Sequence, residues 1–281
     1  MTDALPQGML LKKAPIVAHR KVAADHYLMR LKIPRAAQRA RPGQFLHLLC
    51  PPGRFAQEPV PFLRRPFSIF DVHPKAGTVD FIYKVVGTGT ATLAQARAGD
   101  FADCLAPLGR PFEVPPKVQT VLLVGGGVGI PPLYFLAKTL RKTHQVIVFL
   151  GARTRKWVIC AADFKKLGVP VHVATDDGSR GSKGSVVDLL EKKLSGRGDR
   201  AGRVSCICGP TPMMAAAARA TKAHKVRAQV SLEERMGCAL GVCWGCCVEV
   251  TTERVGSHAR FQRVCSEGPV FDAAAVAWSV S

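Results

Sequence analysis

The stretch Val121-Leu-Leu-Val-Gly125-Gly126-Gly127-Val128-Gly129-Ile130-Pro131-Pro132 decides the fold of this 281-residue chain. Four apolar residues, a run of glycines and a proline pair read as a strand, a tight turn and the start of a helix. The twenty residues 118–137 carry no charge and are long enough to span a bilayer. With glycines and prolines in the middle, however, they are poor material for one continuous helix, and no membrane association is expected. A strand entering a glycine turn at a helix N-terminus aims backbone N–H groups and a positive dipole end at an anion such as a pyrophosphate. The run departs from G-x-G-x-x-G because Ile130 holds the sixth position, so it also suits a tight turn without a ligand.

On the C-terminal side, apolar strands expected at 121–124, 146–150, 169–175 and 204–208 alternate with helices expected at 133–143, 185–194 and 211–225. That rhythm calls for a parallel sheet covered by helices on both faces. On the N-terminal side, short β-type runs at 16–22, 26–33, 44–49, 67–72 and 78–86 are separated by turn residues, with one helix expected at 91–98. Many short strands with Pro and Gly punctuation imply a small antiparallel barrel. Pro115-Pro116-Lys117 marks the change, so the expected division is a barrel over 1–114, an α/β unit over 115–229 and a small segment over 230–281.

At 47% hydrophobic and 21% charged the chain is an ordinary folding chain and not a disordered one. The net charge of +20 first raises a nucleic-acid partner. That charge is distributed as +8 over 1–113, +14 over 114–229 and −2 over 230–281, with no compact basic tail or known binding module, so no nucleic-acid partner is expected. Residues 1–15 lack the apolar run of a secretory signal, which implies a cytoplasmic location. In a reducing compartment, clustered cysteines act as metal ligands or catalysts more readily than as disulfides.

Such a cluster is present. Cys238-x4-Cys243-x2-Cys246 follows the plant-type spacing for a [2Fe-2S] cluster, and Cys265 comes eighteen intervening residues later. Interleaved Gly237, Gly241 and Gly245 suit a loop that wraps closely around such a group. Four cysteines also make a tetrahedral zinc site, although zinc sites favour two separated pairs. Three further pieces are weak alone: Arg64-Arg65-Pro66-Phe67-Ser68 at a strand start, Gly87-Thr88-Gly89-Thr90 opening a helix, and Cys208-Gly209-Pro210 after the last parallel strand.

In this order, barrel, RPFS, GTGT, GGGVG, CGP and then the cysteine cluster, the chain resembles the ferredoxin-NADP reductase superfamily over nearly its whole length. The run from Ser231-Leu-Glu-Glu-Arg-Met236-Gly-Cys238 to Cys246, followed by Arg263-Val-Cys265-Ser-Glu-Gly-Pro269-Val-Phe271, is similar to the electron-transfer subunits of two-subunit, NAD-dependent dihydroorotate dehydrogenases. The resemblance implies that Arg65, Pro66, Phe67 and Ser68 hold the phosphates and flavin of FAD, with Gly87, Gly89 and Thr90 on its pyrophosphate. Gly125, Gly126, Gly127, Gly129, Gly209 and Pro210 would receive the nicotinamide dinucleotide, with Cys208 near the position of hydride transfer. Cys238, Cys243, Cys246 and Cys265 would hold the [2Fe-2S] cluster. Two departures from the pattern are Ala239 in place of a glycine and the long spacing before Cys265.

The implied role is a relay: an FMN-containing catalytic partner oxidises dihydroorotate in pyrimidine biosynthesis, and this chain carries the electrons to NAD. NADH carries two electrons as hydride and the cluster carries one at a time, so a flavin is the necessary converter. Asp176 and Asp177, bordering the adenosine ribose, would favour NAD; Arg153, Arg155, Lys156, Arg180 and Lys183 nearby would suit NADP. Rival readings are the flavin and iron-sulfur subunit of a ferredoxin-coupled transhydrogenase, sulfide dehydrogenase or soluble hydrogenase, and, from another class, a basic nucleic-acid binder with a zinc knuckle.

Overall fold

The computed structural model describes residues 9–50, 62–196, 202–251 and 260–278. Its first unit contains β1 (Met9–Ala23), β2 (His26–Lys32), α1 (Pro34–Arg39), β3 (Phe45–Leu49), β4 (Arg64–His73), β5 (Thr78–Lys84), α2 (Thr88–Leu93) and β6 (Phe101–Leu108). The six strands close into an antiparallel barrel in the order β1-β2-β5-β4-β3-β6, which leaves no open sheet edge. Met29, Leu31, Leu46, Leu48, Ile69 and Phe81 fill it.

Two barrel elements depart from the expectations above. The helix expected at 91–98 begins three residues earlier, because Thr90 Oγ1 accepts the N–H groups of Val86 (2.9 Å) and Gly87 (3.2 Å) and draws the chain into α2 at once. Strand β6 was not expected, since Phe101-Ala-Asp-Cys-Leu-Ala-Pro-Leu108 lacks strict alternation. It forms because β1 and β3 both present edges to it, a tertiary gain that outweighs weak local propensity.

The second unit runs β7 (Thr120–Gly126), a 3-10 turn (Gly127–Gly129), α3 (Ile130–Leu140), β8 (Gln145–Ala152), a 3-10 turn (Arg155–Trp157), α4 (Ala161–Lys166), β9 (Val171–Thr175), β10 (Ser182–Lys183), α5 (Val186–Ser195), β11 (Arg203–Cys208), α6 (Thr211–Ala223) and β12 (Arg227–Ser231). The last segment adds β13 (Cys247–Glu249), β14 (Phe261–Arg263) and β15 (Val270–Asp272). The sheet order is β10-β9-β8-β7-β11-β12-β15. Every pair from β10 to β12 is parallel, with crossover helices on both faces. Val121 and Leu123 of β7 pack with α3 and α4, whereas Leu122 and Val124 pack with α5 and α6. This two-sided burial explains the unbroken apolar run that opens the sequence argument.

The C-terminal segment is not an appended bead. β15 returns to pair antiparallel with β12 (Val230 opposite Phe271), and Cys246, Val264, Cys265 and Phe271 share one core with α6. Barrel and sheet meet along α3, where Tyr134 stacks on Phe70 at 4.5 Å and Lys138 Nζ reaches both oxygens of buried Asp71 at 2.7 and 2.8 Å. Among the described residues no helix is long and apolar enough to cross a membrane.

Candidate functional site

A cavity of about 760 Å³ opens where the three parts of the chain converge. Its walls are Arg64 to Ser68 of β4, Ile82 to Lys84 of β5, Thr90 of α2, Val128 of the glycine turn, and the segment Leu232 to Met236 that leads to the cysteine loop. The volume lies within the range of ordinary cofactor sites, and the lining mixes apolar side chains with a few convergent charges.

On the barrel side, Arg65, Pro66, Phe67, Ser68 and Thr90 all line this cavity. Gly87 caps α2, and Gly89 faces Arg65 so closely that a Cβ there would meet its Nε at 2.9 Å. The RPFS strand and the GTGT turn, separated by about twenty residues in sequence, therefore touch. Thr90 Oγ1 is taken up in shaping the turn, leaving the Arg65 guanidinium as the charged group beside it. Tyr83 and Lys84 join the lining without having been anticipated; their signal is their place on the strand that leads directly into Gly87. The Tyr83 hydroxyl is fixed by His19 Nε2 at 2.9 Å, and His19 Nδ1 donates to the Ala96 carbonyl at 2.7 Å.

On the sheet side, Gly125 and Gly126 end β7, and Gly127 and Gly129 form the turn. Gly127 has φ +55° with open space where a Cβ would stand. Gly129 lies against the backbone of Cys208 and Gly209, where a Cβ would come within 2.4 Å of three main-chain atoms. That approach brings Gly209 and Pro210 beside Gly126 and joins the two glycine motifs. Cys208 itself is fully buried beneath them. Its thiol faces the Ser231 carbonyl at 3.7 Å, and burial, then the Glu233 carboxylate, push its ionisation well above the ordinary range. It is a neutral thiol under the turn and does not line the cavity.

Asp176 stands outside the cavity, at the end of β9, with its amide donating to the Ala152 carbonyl at 3.1 Å. Asp177 Oδ1 accepts from the Ser179 amide (2.9 Å) and hydroxyl (2.6 Å), while Ser179 Oγ accepts from the Arg155 amide at 2.7 Å. The ends of β8 and β9 are thus tied into one rim that carries both the acidic and the basic residues weighed above.

The four cysteines gather in two pairs. The amides of Leu240 and Cys243 donate to Cys238 Sγ at 3.4 Å each, and the Cys243 thiol is beside it. The Cys265 amide donates to Cys246 Sγ at 3.5 Å, with the two thiols adjacent. Among the described residues no three or more Cys, His, Asp or Glu side chains converge on one point as a single metal ion requires. A [2Fe-2S] cluster takes two thiolates on each iron, which is the number that each of these pairs would supply. Although burial raises Cys238, the Leu240, Cys243 and Val242 amides outweigh it and bring the thiol down to about 6. Burial, with the adjacent Cys246, pushes Cys265 up to about 12. Amides aimed at sulfur are what a thiolate-held cluster requires.

The two departures noted in the sequence find their places here. Ala239 adopts φ +57°, the conformation for which glycine is the ordinary residue. The long spacing before Cys265 is spent in an excursion along β13 and β14, whose register sets Cys247 opposite Arg263. Its tip, 252–259, lies outside the described residues.

His47 links these parts from below. It is fully buried on β3, opposite Pro66 of the flavin-side strand, near the backbone of Arg64 and Met236. Burial, then the Arg64 cation, lowers its pKa to about 4. In the unfolded chain it titrates near 6.5, so between pH 6.5 and 4 only the unfolded state takes up this proton. The stabilisation is complete above pH 6.5 and falls away on acidification, by about 3 kcal/mol over that window. Denaturant titrations at pH 7 and pH 4.5 on the native chain and on His47→Gln measure it. The native chain is expected to lose about 2–3 kcal/mol more than the variant, and equal losses would refute the assignment.

Comparisons with known proteins agree with this geometry. Residues 233–277 match the family described as the iron-sulfur cluster binding domain of dihydroorotate dehydrogenase B, and residues 123–219 match the oxidoreductase NAD-binding domain. The chain is 40% identical over 268 residues to the dihydroorotate dehydrogenase B (NAD(+)) electron transfer subunit of Bacillus caldolyticus, covering 94% of this chain and 98% of that one. Its likeness to the corresponding subunit of Desulforamulus reducens is 37% over 266 residues, 94% and 97% of the two chains. Among solved structures, an NADH-dependent reduced ferredoxin-NADP oxidoreductase superposes with TM-score 0.80 at 32% identity over 95% of this chain and 91% of that one. Phthalate dioxygenase reductase, at 16% identity, shares the fold with TM-score 0.61 over 91% and 94% of the two chains. With its barrel, mixed-edge sheet and paired cysteines in one body, the chain belongs to the family of electron transfer subunits of dihydroorotate dehydrogenase B.

Proposed function

We propose that this chain carries electrons between a dihydroorotate-oxidising flavoprotein partner and NAD, and that it divides functionally into an FAD unit (1–114), an NAD unit (115–229) and a cluster unit (230–281). The observation that carries this reading is the single cavity walled at once by the RPFS strand, the glycine turn and the segment entering the cysteine loop. FAD bound there would convert between hydride and single electrons, and a [2Fe-2S] cluster on Cys238, Cys243, Cys246 and Cys265 would pass them one at a time.

The residues of the chain have distinct tasks. Arg65 offers a fixed cation beside the Gly87-Thr88-Gly89-Thr90 turn for diphosphate oxygens. Phe67 and Ser68, with Tyr83 behind them, form the wall for a planar ring system. Gly127 leaves open space and Gly129 closes the turn on Cys208 and Gly209, so a dinucleotide can approach main-chain N–H groups. Cys208, neutral and buried, acts by supporting this floor. Asp176 and the Asp177-Ser179 turn favour the ribose diol of NAD. Around the cysteine loop, Leu240, Val242 (74% exposed) and Trp244 leave apolar surface uncovered, suited to a partner that approaches the cluster.

The test is purification with the co-purifying subunit. A yellow-brown complex containing flavin and iron is expected to reduce NAD with dihydroorotate, with NADP clearly poorer. A complex without dihydroorotate-linked NAD reduction would overturn the proposal.

A further inference from the structure

Arg263 is the busiest side chain near the cysteine loop. Its Nη2 pairs with Glu267 Oε1 at 2.7 Å and its Nε with Glu267 Oε2 at 3.1 Å, a two-point clamp that fixes the plane of the guanidinium. The same Glu267 carboxylate accepts the Arg263 amide at 2.5 Å, so the pair is locked to its own turn. The free edge of the guanidinium reaches across twenty-two positions to the Gly241 carbonyl, Nη1 to oxygen 2.6 Å. Its face lies over the Trp244 ring, 4.5 Å from the centroid.

The contacts with Gly241 and Trp244 fall on points of the loop where the backbone has positive φ. Trp244 lies between the ligands Cys243 and Cys246 with φ +59°, a conformation unfavourable for a bulky residue that persists only where surroundings enforce it. A cation over an indole is one such enforcing contact. Gly241, at φ +78°, is where the loop reverses. A trans peptide is planar, with its C=O and N–H pointing in opposite directions. Holding the Gly241 oxygen from one side therefore turns the Val242 N–H to the other and fixes the turn whose Leu240 and Cys243 amides donate to Cys238 Sγ at 3.4 Å each.

Resting on the cluster reading above, we propose that Arg263, held by Glu267 and lying over Trp244, is a positioning residue that, through the Gly241 carbonyl, fixes the turn whose Leu240 and Cys243 amides donate to Cys238, and thereby raises the cluster's reduction potential. Adding one electron makes the cluster one unit more negative. Oriented N–H donors at the sulfurs and a nearby fixed cation both favour that state.

The experiment is an anaerobic redox titration of the full chain followed by electron paramagnetic resonance, on the native protein, Arg263→Gln and Arg263→Lys, with iron and sulfide determined on each. Arg263→Gln is expected to shift the cluster's reduction equilibrium at least tenfold toward the oxidised form, a fall of about 59 mV for one electron. Arg263→Lys keeps the charge but cannot clamp Glu267, stack on Trp244 and reach Gly241 together, so it is expected to shift in the same direction. It carries the comparison if Arg263→Gln loses its cluster. A native potential in Arg263→Lys overturns the positioning role, as does an unshifted Arg263→Gln. A native chain that binds zinc and no iron or sulfide overturns the cluster reading itself, and the proposal falls with it.

Discussion

Cys265→Ser is expected to strip the cluster while leaving the flavin and dinucleotide site working. Cys265 is 3% exposed and lies in the core with Val264 and Phe271, so a hydroxyl of similar size fits, at about 1 kcal/mol for a buried, weakly bonded group. The lost thiolate belongs to the Cys246 pair, and its partner cannot hold an iron alone. Iron and sulfide per chain are expected to drop at least tenfold, and the reduced-state paramagnetic signal to vanish. Hydride transfer from NADH to bound flavin should persist, because nothing in the cavity lining comes from residue 265. Native iron content in the variant would exclude Cys265 as a ligand.

Gly129→Ala is expected to have the largest effect at the dinucleotide end. The new methyl group would stand 2.4 Å from the carbonyl carbon and oxygen of Cys208 and from the Gly209 nitrogen, all main chain and unable to rotate away. One of the two segments must shift, at about 1–3 kcal/mol for overpacking. The displaced turn should also weaken NADH binding at least tenfold, read as the concentration dependence of flavin reduction. Gly127→Ala supplies the contrast: it meets open space and bears only the cost of φ +55°, about 1 kcal/mol in stability. Native NADH affinity and stability in Gly129→Ala would show that the turn does not depend on that close approach.

Legibility in the sequence followed the range of the forces involved. The parallel strands of the sheet could be read because burial on both faces writes continuous apolar runs such as 121–124 and 146–150 into the chain. The cysteine spacing was readable for a similar local reason: Cys238, Cys243 and Cys246 lie on one loop. Strand β6 and the capping of α2 by Thr90 were not, since one depends on edges offered by β1 and β3 and the other on a single hydroxyl. Among cavity residues, Arg65 to Ser68 stood out through a motif, whereas Tyr83 and Lys84 belong to a strand with no motif of its own and meet the site only after folding, as does His47 beside it. Arg263 illustrates the limit: in sequence it opens the run through Cys265, but its contacts with Gly241 and Trp244 exist only once the excursion along β13 and β14 has brought it back.

The return of β15 to β12 also protects the protein from itself. Without those three residues, β12 would present a row of unpaired N–H and C=O groups at the edge of the remaining six-stranded sheet, a template for pairing with another molecule. The strand that covers this row follows Cys265 closely in sequence, and its Phe271 shares a core with that cysteine. The edge is therefore covered by the chain's own C-terminal segment and is not left for a neighbouring molecule to pair with.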